Sequence, residues 1–233
     1  MEDAPTRKGR LIAICGIDGS GKATQTALLA RRAEAAGHAV RQISFPRYGE
    51  GFFAELIERY LRGEFAARAT EVSPYLAALP YALDRWQAAP RLRAWLAEGC
   101  VVICNRYVPA NMAHQGSKLP SETERRAFFQ WVSELEYGVL ELPRPDLQIL
   151  LDVPPAQAAE LVSGRRAAAG LAEAKDIHER DMGHLEATAG AYHEIARAGL
   201  GKWAVVGCVR RGVLLSPEEI AETVWREAKG LLY

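Results

Sequence analysis

The feature that most constrains this sequence is a glycine-rich segment that follows a short apolar run and opens a helical pattern. Residues 16–24 read GIDGSGKAT; residues 11–15 before them are apolar, and the helical pattern covers residues 22–36. A strand, a glycine-rich turn and a helix in this order are the context of the phosphate-binding loop G-x-x-x-x-G-K. Glycines let backbone N–H groups face phosphate oxygens, and the helix adds the positive end of its dipole. The segment is therefore predicted to bind the triphosphate of a nucleotide such as ATP.

The predicted ATP-binding residues are those of the loop itself: Gly16, Ile17, Asp18, Gly19, Ser20, Gly21, Lys22, Ala23 and Thr24. Lys22 is expected to reach the β- and γ-phosphates. The motif usually continues with Ser or Thr, whose hydroxyl contacts Mg²⁺, but Ala23 stands there, and Thr24 is rotated by about 100° around the helix. The sequence leaves open whether a hydroxyl binds Mg²⁺, which ATP oxygens, water and a nearby carboxylate can also hold.

The rest of the chain alternates short apolar runs with helical patterns, which predicts an α/β fold. The apolar runs do not alternate with polar residues, as in strands covered on both faces, and occupy residues 11–15, 40–45, 100–104, 147–153 and 203–208. Helices are expected between them, including one with a capping box from Ser121 to Glu124 and one after Ser216. We expect three layers, with a five-stranded parallel sheet between helices and ligands at the carboxyl ends of the strands.

Two further patterns concern the helices and the division of the chain. Phe128, Val132, Leu135 and Val139 recur at helical spacing, which predicts that they share one buried face. Residues 163–174, SGRRAAAGLAEA, suit either a continued helix or a mobile lid. We therefore expect an N-terminal tail (1–10) and a single domain (11–233) with a lid at about residues 163–177.

Charge and composition argue against several classes of partner. Lys+Arg and Asp+Glu both number 29, so the formal net charge is zero, unlike that of most proteins that bind nucleic acid or anionic membranes. No apolar stretch is long enough to span a bilayer, and the first residues lack the apolar core of a signal peptide. Cys15, Cys100, Cys104 and Cys208 form no CxxC pair and are predicted to be buried free thiols. These features predict a cytoplasmic protein without nucleic acid or membrane partners.

Characteristic motifs recur along the rest of the chain, most of them next to the predicted strands. They are FPRYG (residues 45–49), ALDRW (82–86), NRYVPAN (105–111), LPRPD (142–146) and LDV (151–153). In this order, together with GIDGSGKATQ, they resemble the thymidylate kinases, which phosphorylate dTMP to dTDP. The resemblance extends over nearly the whole chain. It implies a P-loop kinase fold, the reaction ATP + dTMP → ADP + dTDP in dTTP biosynthesis, Mg²⁺ as cofactor and a homodimer.

The resemblance also implies how the phosphoryl acceptor is bound. Arginine suits a phosphate because its guanidinium is planar and always charged, and Arg47 and Arg106 match arginines that hold the acceptor phosphate in this family. Tyr81 matches the position that stacks on the base, and Arg85 matches the one that contacts a thymine carbonyl. The predicted substrate-binding residues are Asp18, Phe45, Pro46, Arg47, Tyr48, Tyr81, Arg85, Arg106, Asn111, His114 and Gln115.

Catalytic and metal-binding roles follow from the same resemblance. The loop has Gly19 and Ser20 where some members carry an arginine, so a lid arginine is expected to stabilise the phosphoryl group during transfer, with Lys175 less favoured. The predicted catalytic residues are Lys22, Arg47, Arg106, Arg165 and Arg166. Asp18 and Asn105 are predicted to bind Mg²⁺ through water.

Some positions depart from the family pattern and keep alternatives open. Asn105 stands where Asp is usual, and His114 and His178 stand where tyrosine is frequent; Gln115 is a second candidate for the base edge. The alternatives are a kinase of another nucleoside monophosphate, such as dUMP, and a nucleotide-binding protein that no longer catalyses. Adenine contacts are expected near residues 209–213.

Overall fold

The computed structural model describes residues 8–66, 71–168 and 182–233, and of residues 165–168 it describes the backbone alone. These residues form a five-stranded sheet with the order β2-β3-β1-β4-β5, in which every pairing is parallel. The strands are β1 (Arg10–Cys15), β2 (Val40–Ser44), β3 (Val101–Asn105), β4 (Leu147–Asp152) and β5 (Trp203–Gly207). The five predicted strands are confirmed, and each of their ends lies within one residue of the prediction.

Helices cover both faces of this sheet. They are α1 (Lys22–Ala35), α2 (Phe52–Leu61), α3 (Pro74–Ala97), α4 (Val108–Gly116), α5 (Glu122–Ser133), α6 (Pro155–Ala168), α7 (Met182–Arg197) and α8 (Pro217–Leu232). Helices α1 and α8 pack on each other and on the sheet, whereas α3, α4, α5 and α7 form a second packed group. Capping boxes start α5 at Ser121 and α8 at Ser216. The predicted three-layer α/β fold is confirmed.

The central strand explains why the apolar runs show no alternation. Strand β1 lies between β3 and β4, and its residues from Leu11 to Cys15 are fully buried. A strand covered by helices on both faces buries side chains of both orientations, so polar residues are excluded along its length. The carboxyl ends of β1, β2 and β3 therefore meet at one edge of the sheet, where the polar motifs follow.

A change of helical pitch after α5 overturns one prediction. The helix continues as a wider π-helical turn over Glu134–Val139. Because such a turn holds more residues than an α-helical one, the face predicted from regular spacing no longer continues. Val139 is 68% exposed, so its predicted burial is wrong, and Glu136 is fully buried instead.

The structure describes the predicted lid only at its start. Helix α6 continues to Ala168, so residues 163–168 extend a helix, and residues 169–177 lie outside the described residues together with Lys175. Arg165 and Arg166 lie on α6, but their side chains are outside what is described. Of the predicted tail, residues 1–7 are also outside, whereas Arg10 belongs to β1.

A short antiparallel hairpin, β6 (Val209–Arg210) and β7 (Val213–Leu214), follows β5 and occupies the segment predicted to contact adenine.

The four cysteines are buried and free, as predicted. In the described part of the chain, no helix has the length and apolar character needed to cross a membrane.

Candidate active site

The glycine-rich loop joins the end of β1 to the start of α1. Gly19 and Gly21 have φ angles of 86° and 84°, in the left-handed region that glycine adopts without strain. A Cβ at Gly19 would also collide with the carbonyl of Ala158, so α6 packs directly on the loop. Gly21 precedes α1 and gives it no side-chain cap, which leaves the first backbone N–H groups of the helix for a ligand. These amides and the helix dipole form a phosphate-binding geometry.

Lys22, the first residue of α1, lies folded across the loop. Its side chain is 8% exposed, and its ammonium donates a hydrogen bond of 2.6 Å to the carbonyl oxygen of Ile17. The same ammonium lies 3.9 Å from Oδ1 of Asp18. A buried cation is thus held within the loop that is shaped for phosphate.

A cleft of about 400 Å³, the main cleft, opens beside the loop where β2 and β3 end. All of the predicted substrate-binding residues except Arg47 line it: Asp18, Phe45, Pro46, Tyr48, Tyr81, Arg85, Arg106, Asn111, His114 and Gln115. Its remaining lining residues are Ser44, Leu61, Asn105 and Ala110. The structure therefore brings together residues that are almost a hundred positions apart in the sequence.

Arg106 links the main cleft to the glycine-rich loop. It follows β3 directly and has a φ of 65°, a left-handed conformation that is uncommon for a residue with a side chain. One guanidinium nitrogen donates to the carboxylate of Asp18, and another lies 2.8 Å from Nε2 of His114. Since guanidinium nitrogens only donate, His114 accepts with Nε2 and is neutral in this arrangement. A permanent cation thus stands between the loop and the cleft.

The inner end of the main cleft is organised by Glu136, a residue that the sequence reasoning missed. Glu136 is fully buried and accepts hydrogen bonds from Nε and Nη2 of Arg85 at 2.6 and 2.7 Å. Burial acts to lower the pKa of Arg85, but the charge and hydrogen bonds of Glu136 outweigh it, so the pKa lies above its ordinary value. Nη1 of Arg85 makes no hydrogen bond to any described residue. The ion pair thus leaves one donor of a rigid guanidinium for a ligand.

Asn111, on α4, completes this inner end. Its Nδ2 donates to the carbonyl of Ala78 at 3.0 Å and to Glu136 at 2.9 Å. Both partners only accept, which fixes the orientation of the amide. Its Oδ1 is buried, and no described residue donates a hydrogen bond to it. Because a buried polar atom without a partner is costly, this oxygen is suited to a donor on a ligand.

Arg47 is not among the residues that line the main cleft, and its contact with the acceptor phosphate stays a prediction. Asp84 is 1% exposed and accepts from Nε of Arg47 at 2.9 Å and from its backbone N–H at 3.0 Å. The guanidinium also donates to Gln87 at 2.9 Å. This buried carboxylate holds the side chain beside α3 and uses Nε of the guanidinium, which has further N–H donors. The sequence does show Asp84, next to Arg85 in the ALDRW motif, as an acidic residue that could pair with Arg47.

The candidate metal ligands lie at the mouth of the cleft. Asn105 lines it together with Asp18, and its buried Oδ1 receives no hydrogen bond from a described residue. Among the described residues, no cluster of three or more His, Cys, Asp or Glu side chains could hold a metal. Two oxygen donors without a full protein cage fit Mg²⁺, which keeps several of its waters.

Comparison with known proteins gives a consistent picture. A family model described as "Thymidylate kinase" matches residues 14–207. The thymidylate kinase of Mycobacterium tuberculosis (strain CDC 1551 / Oshkosh) is 38% identical over 198 residues, which cover 84% of this chain and 91% of that protein. The thymidylate kinase of Solidesulfovibrio magneticus is 33% identical over 90% of this chain and 94% of that protein. The thymidylate kinase of Homo sapiens is 28% identical over 66% of each chain. The similarity thus includes both the loop and the main cleft.

Proposed function

The chain belongs to the thymidylate kinase family, and on this premise we propose that it transfers the γ-phosphoryl group of ATP to dTMP in the main cleft. It is an enzyme, a nucleoside monophosphate kinase. The observation that supports this substrate most strongly is the hydrogen-bonding pattern at the inner end of the cleft. There, Glu136 holds both Arg85 and Asn111, and neither Nη1 of Arg85 nor the buried Oδ1 of Asn111 has a hydrogen-bond partner among the described residues.

This pattern is complementary to one edge of thymine. The N3–H group of thymine donates and its neighbouring carbonyl oxygen accepts, so they match Asn111 Oδ1 and Arg85 Nη1. With Arg85 facing position 4, cytosine would present an acceptor at N3 and an amino donor in place of the carbonyl, which would leave both protein groups without a partner. Half-buried Tyr81 and buried Phe45 supply apolar ring surface for the base. The site therefore favours thymine or uracil over cytosine.

The position of Arg106 suits it to hold the acceptor phosphate. It lies between the cleft and the loop, where its contacts with Asp18 and His114 keep the guanidinium in place. The loop amides and Lys22 would hold the β- and γ-phosphates of ATP. The oxygen that attacks is already anionic, so no general base is needed, and alignment and charge stabilisation supply the catalysis. The roles of Arg47 as a further phosphate ligand and of His114 and Tyr48 as sugar or rim contacts remain predictions.

A catalytic arginine from the lid agrees with the packing of α6. Ala158 and Val162 of α6 approach Gly19 closely, and Arg165 and Arg166 lie about one turn further along the same helix. We propose that one of these two arginines reaches the phosphoryl group in transfer and stabilises its charge.

Mg²⁺ is the cofactor that fits these oxygen donors. We propose that Asp18 and Oδ1 of Asn105, to which no described residue donates a hydrogen bond, would hold it through water, with ATP oxygens completing its shell. Bound there, Mg²⁺ would neutralise negative charge on the phosphates. Ala23 and Thr24 are both exposed at the start of α1, and Ala23 has no hydroxyl to offer. The residues that the protein would use to hold Mg²⁺ are therefore Asp18 and Asn105.

We also propose a homodimer and a cytoplasmic location, where dTDP would be used for dTTP synthesis. Phe52 on α2 and Leu76 and Trp86 on α3 are 70%, 64% and 49% exposed, an unusual amount of large apolar surface for two packed helices. An interface of a second copy through these helices would cover it. Four free thiols agree with a reducing compartment.

The proposed function is tested by coupled turnover assays with dTMP, dUMP, dCMP and dGMP in the presence of ATP and Mg²⁺. We expect kcat/KM for dTMP to exceed that for dCMP at least about 30-fold, since two mismatched hydrogen bonds cost about 1–3 kcal/mol each. The preference over dUMP, which lacks one methyl group, should be about tenfold or more. Equal turnover of dCMP and dTMP would contradict the proposal. ATP binding without ADP formation on any monophosphate would support the non-catalytic alternative instead.

Replacing Arg85 by lysine tests the base contact. Lysine keeps a charge beside Glu136 but cannot pair through two nitrogens and donate with a third. We expect KM for dTMP to rise about 10–100-fold and KM for ATP to change less than about twofold. Arg93→Lys, an exposed substitution on the same helix, is the matched control. An equal rise in both KM values would show that Arg85 supports the structure of the cleft and does not contact the base.

A further inference from the structure

Lys118 lies two residues beyond α4 and forms an unusual contact behind the main cleft. Its ammonium donates to Oε1 of Gln115 at 2.5 Å and to the hydroxyl of Tyr60 at 2.7 Å, and it lies 5.3 Å from the centre of the Tyr60 ring. It forms no ion pair with a carboxylate of the described residues, and burial lowers its pKa to about 7. A buried cation without a counter-charge is costly and calls for a reason.

The contact with Lys118 determines how Gln115 is oriented. Gln115 is 1% exposed and lines the main cleft. In its charged form Lys118 only donates, so the end of the Gln115 amide that faces it is then the oxygen. No described residue accepts a hydrogen bond from Nε2 of Gln115. Lys118 therefore leaves the N–H₂ end of this amide as the one available to a ligand.

Gln115 stands close to the groups already assigned to the base. It is four residues after Asn111 on α4, so the two side chains lie on the same face of the helix, one turn apart. Together with Nη1 of Arg85, which lines the same cleft from α3, these side chains provide two donors and one acceptor. The edge of thymine offers the complement, a carbonyl, N3–H and a second carbonyl.

We propose that Lys118 is a positioning residue for base recognition, which holds the Gln115 amide so that its Nε2 donates to the second carbonyl of the pyrimidine. The inference rests on the proposed function, because it requires dTMP in the main cleft. Tyr60 anchors Lys118 from α2, so the amide orientation depends on this contact between α2 and the segment that follows α4. In this account the desolvated ammonium is kept because a neutral apolar residue could not specify which end of Gln115 faces the base.

Thio-substituted substrates test this proposal. The variants are Lys118→Met, which removes the donor but keeps the apolar stem, and Gln115→Glu, which keeps a partner for Lys118 but removes the N–H₂ donor. For each, kcat/KM is measured with dTMP and with its 2-thio and 4-thio analogues, in which a sulfur that accepts hydrogen bonds weakly replaces one carbonyl oxygen. The wild type should prefer dTMP over each analogue by about 3–10-fold, the value of one neutral hydrogen bond.

In both variants, the preference for dTMP over one of the analogues, the same one for each variant, should fall below about twofold. The preference over the other analogue should remain, because that analogue changes the carbonyl that faces Arg85. Lys118→Arg, which retains donors, should restore part of the lost preference. The proposal is overturned if Lys118→Met lowers kcat/KM for all three nucleotides in the same proportion, as a merely structural role would, or leaves both preferences intact. Absence of dTMP phosphorylation by the wild type would refute the proposed function itself.

Discussion

Replacing Lys22 by alanine is expected to lower the turnover of dTMP at least about a thousandfold, because a buried cation that stabilises transferring phosphate has no substitute in water. The side chain reaches back over the loop to Ile17 and lies near Asp18, so its ammonium is already placed where phosphate oxygens would enter. Folding should be affected far less, because the hydrogen bond that Lys22 donates to Ile17 lies within the loop and is worth about 1 kcal/mol. Steady-state kinetics and thermal denaturation measure the two effects separately.

Lys202→Ala is the matched control for this prediction. Lys202 is exposed, immediately before β5, and it contributes to neither the loop nor the main cleft. Its replacement should leave kcat and KM unchanged within about twofold. Wild-type turnover in Lys22→Ala would remove this residue from the mechanism, and a large loss of stability would show that its role is structural.

Glu136→Gln is expected to lower the free energy of unfolding by about 3–5 kcal/mol, although the two side chains have nearly the same shape. The substitution removes the counter-charge of Arg85, which is 2% exposed and would remain a buried cation with a neutral partner. Glu134→Gln changes an exposed residue of the same π-helical turn and should shift stability by less than about 0.5 kcal/mol. Urea denaturation of both variants at one pH provides the comparison.

A double variant separates the stability of this pair from its function. Replacing both charges by apolar residues, Arg85→Met with Glu136→Leu, should recover most of the lost stability because neither position then carries an unpaired buried charge. It should still fail to recognise dTMP, because it has no donor for the base carbonyl and no support for Asn111. A Glu136→Gln protein as stable as the wild type, or a double variant with an unchanged KM for dTMP, would contradict the role assigned to Glu136.

The strands and most of the cleft were predictable from sequence for a simple physical reason. In a parallel sheet, buried strands are continuous apolar runs, and whatever follows them meets at one edge. Phe45 after β2 and Arg106 after β3 were therefore expected to lie together near the loop, and they line the same cleft. The ordered motifs narrowed this general site to one family.

Glu136 was not predictable because its burial depends on a local change of pitch. Regular spacing from Phe128 would place Val139 inside, whereas the π-helical turn leaves Val139 exposed and buries a carboxylate three residues earlier. No signal in the residues between 134 and 139 marks that change. The only sequence indication that Glu136 is involved in the site was that this charged residue lies close to the stripe predicted to be buried.

The contacts of Arg47 and Lys118 depend on distant partners. Arg47 follows β2 as predicted, but Asp84, 37 positions later, decides where its guanidinium lies. Lys118 is positioned by Tyr60, 58 positions earlier. Sequence spacing can place a side chain at an edge of the sheet, but competition between partners is settled only when the elements pack.

The most direct test of the central claim is a crystal structure of the protein with dTMP and a non-hydrolysable ATP analogue. The account predicts the analogue's phosphates on the amides of the glycine-rich loop and the dTMP phosphate at Arg106. It places N3 of thymine within hydrogen-bond distance of Asn111 Oδ1. A base that lies outside the main cleft, or that turns its N3 away from Asn111, would contradict it.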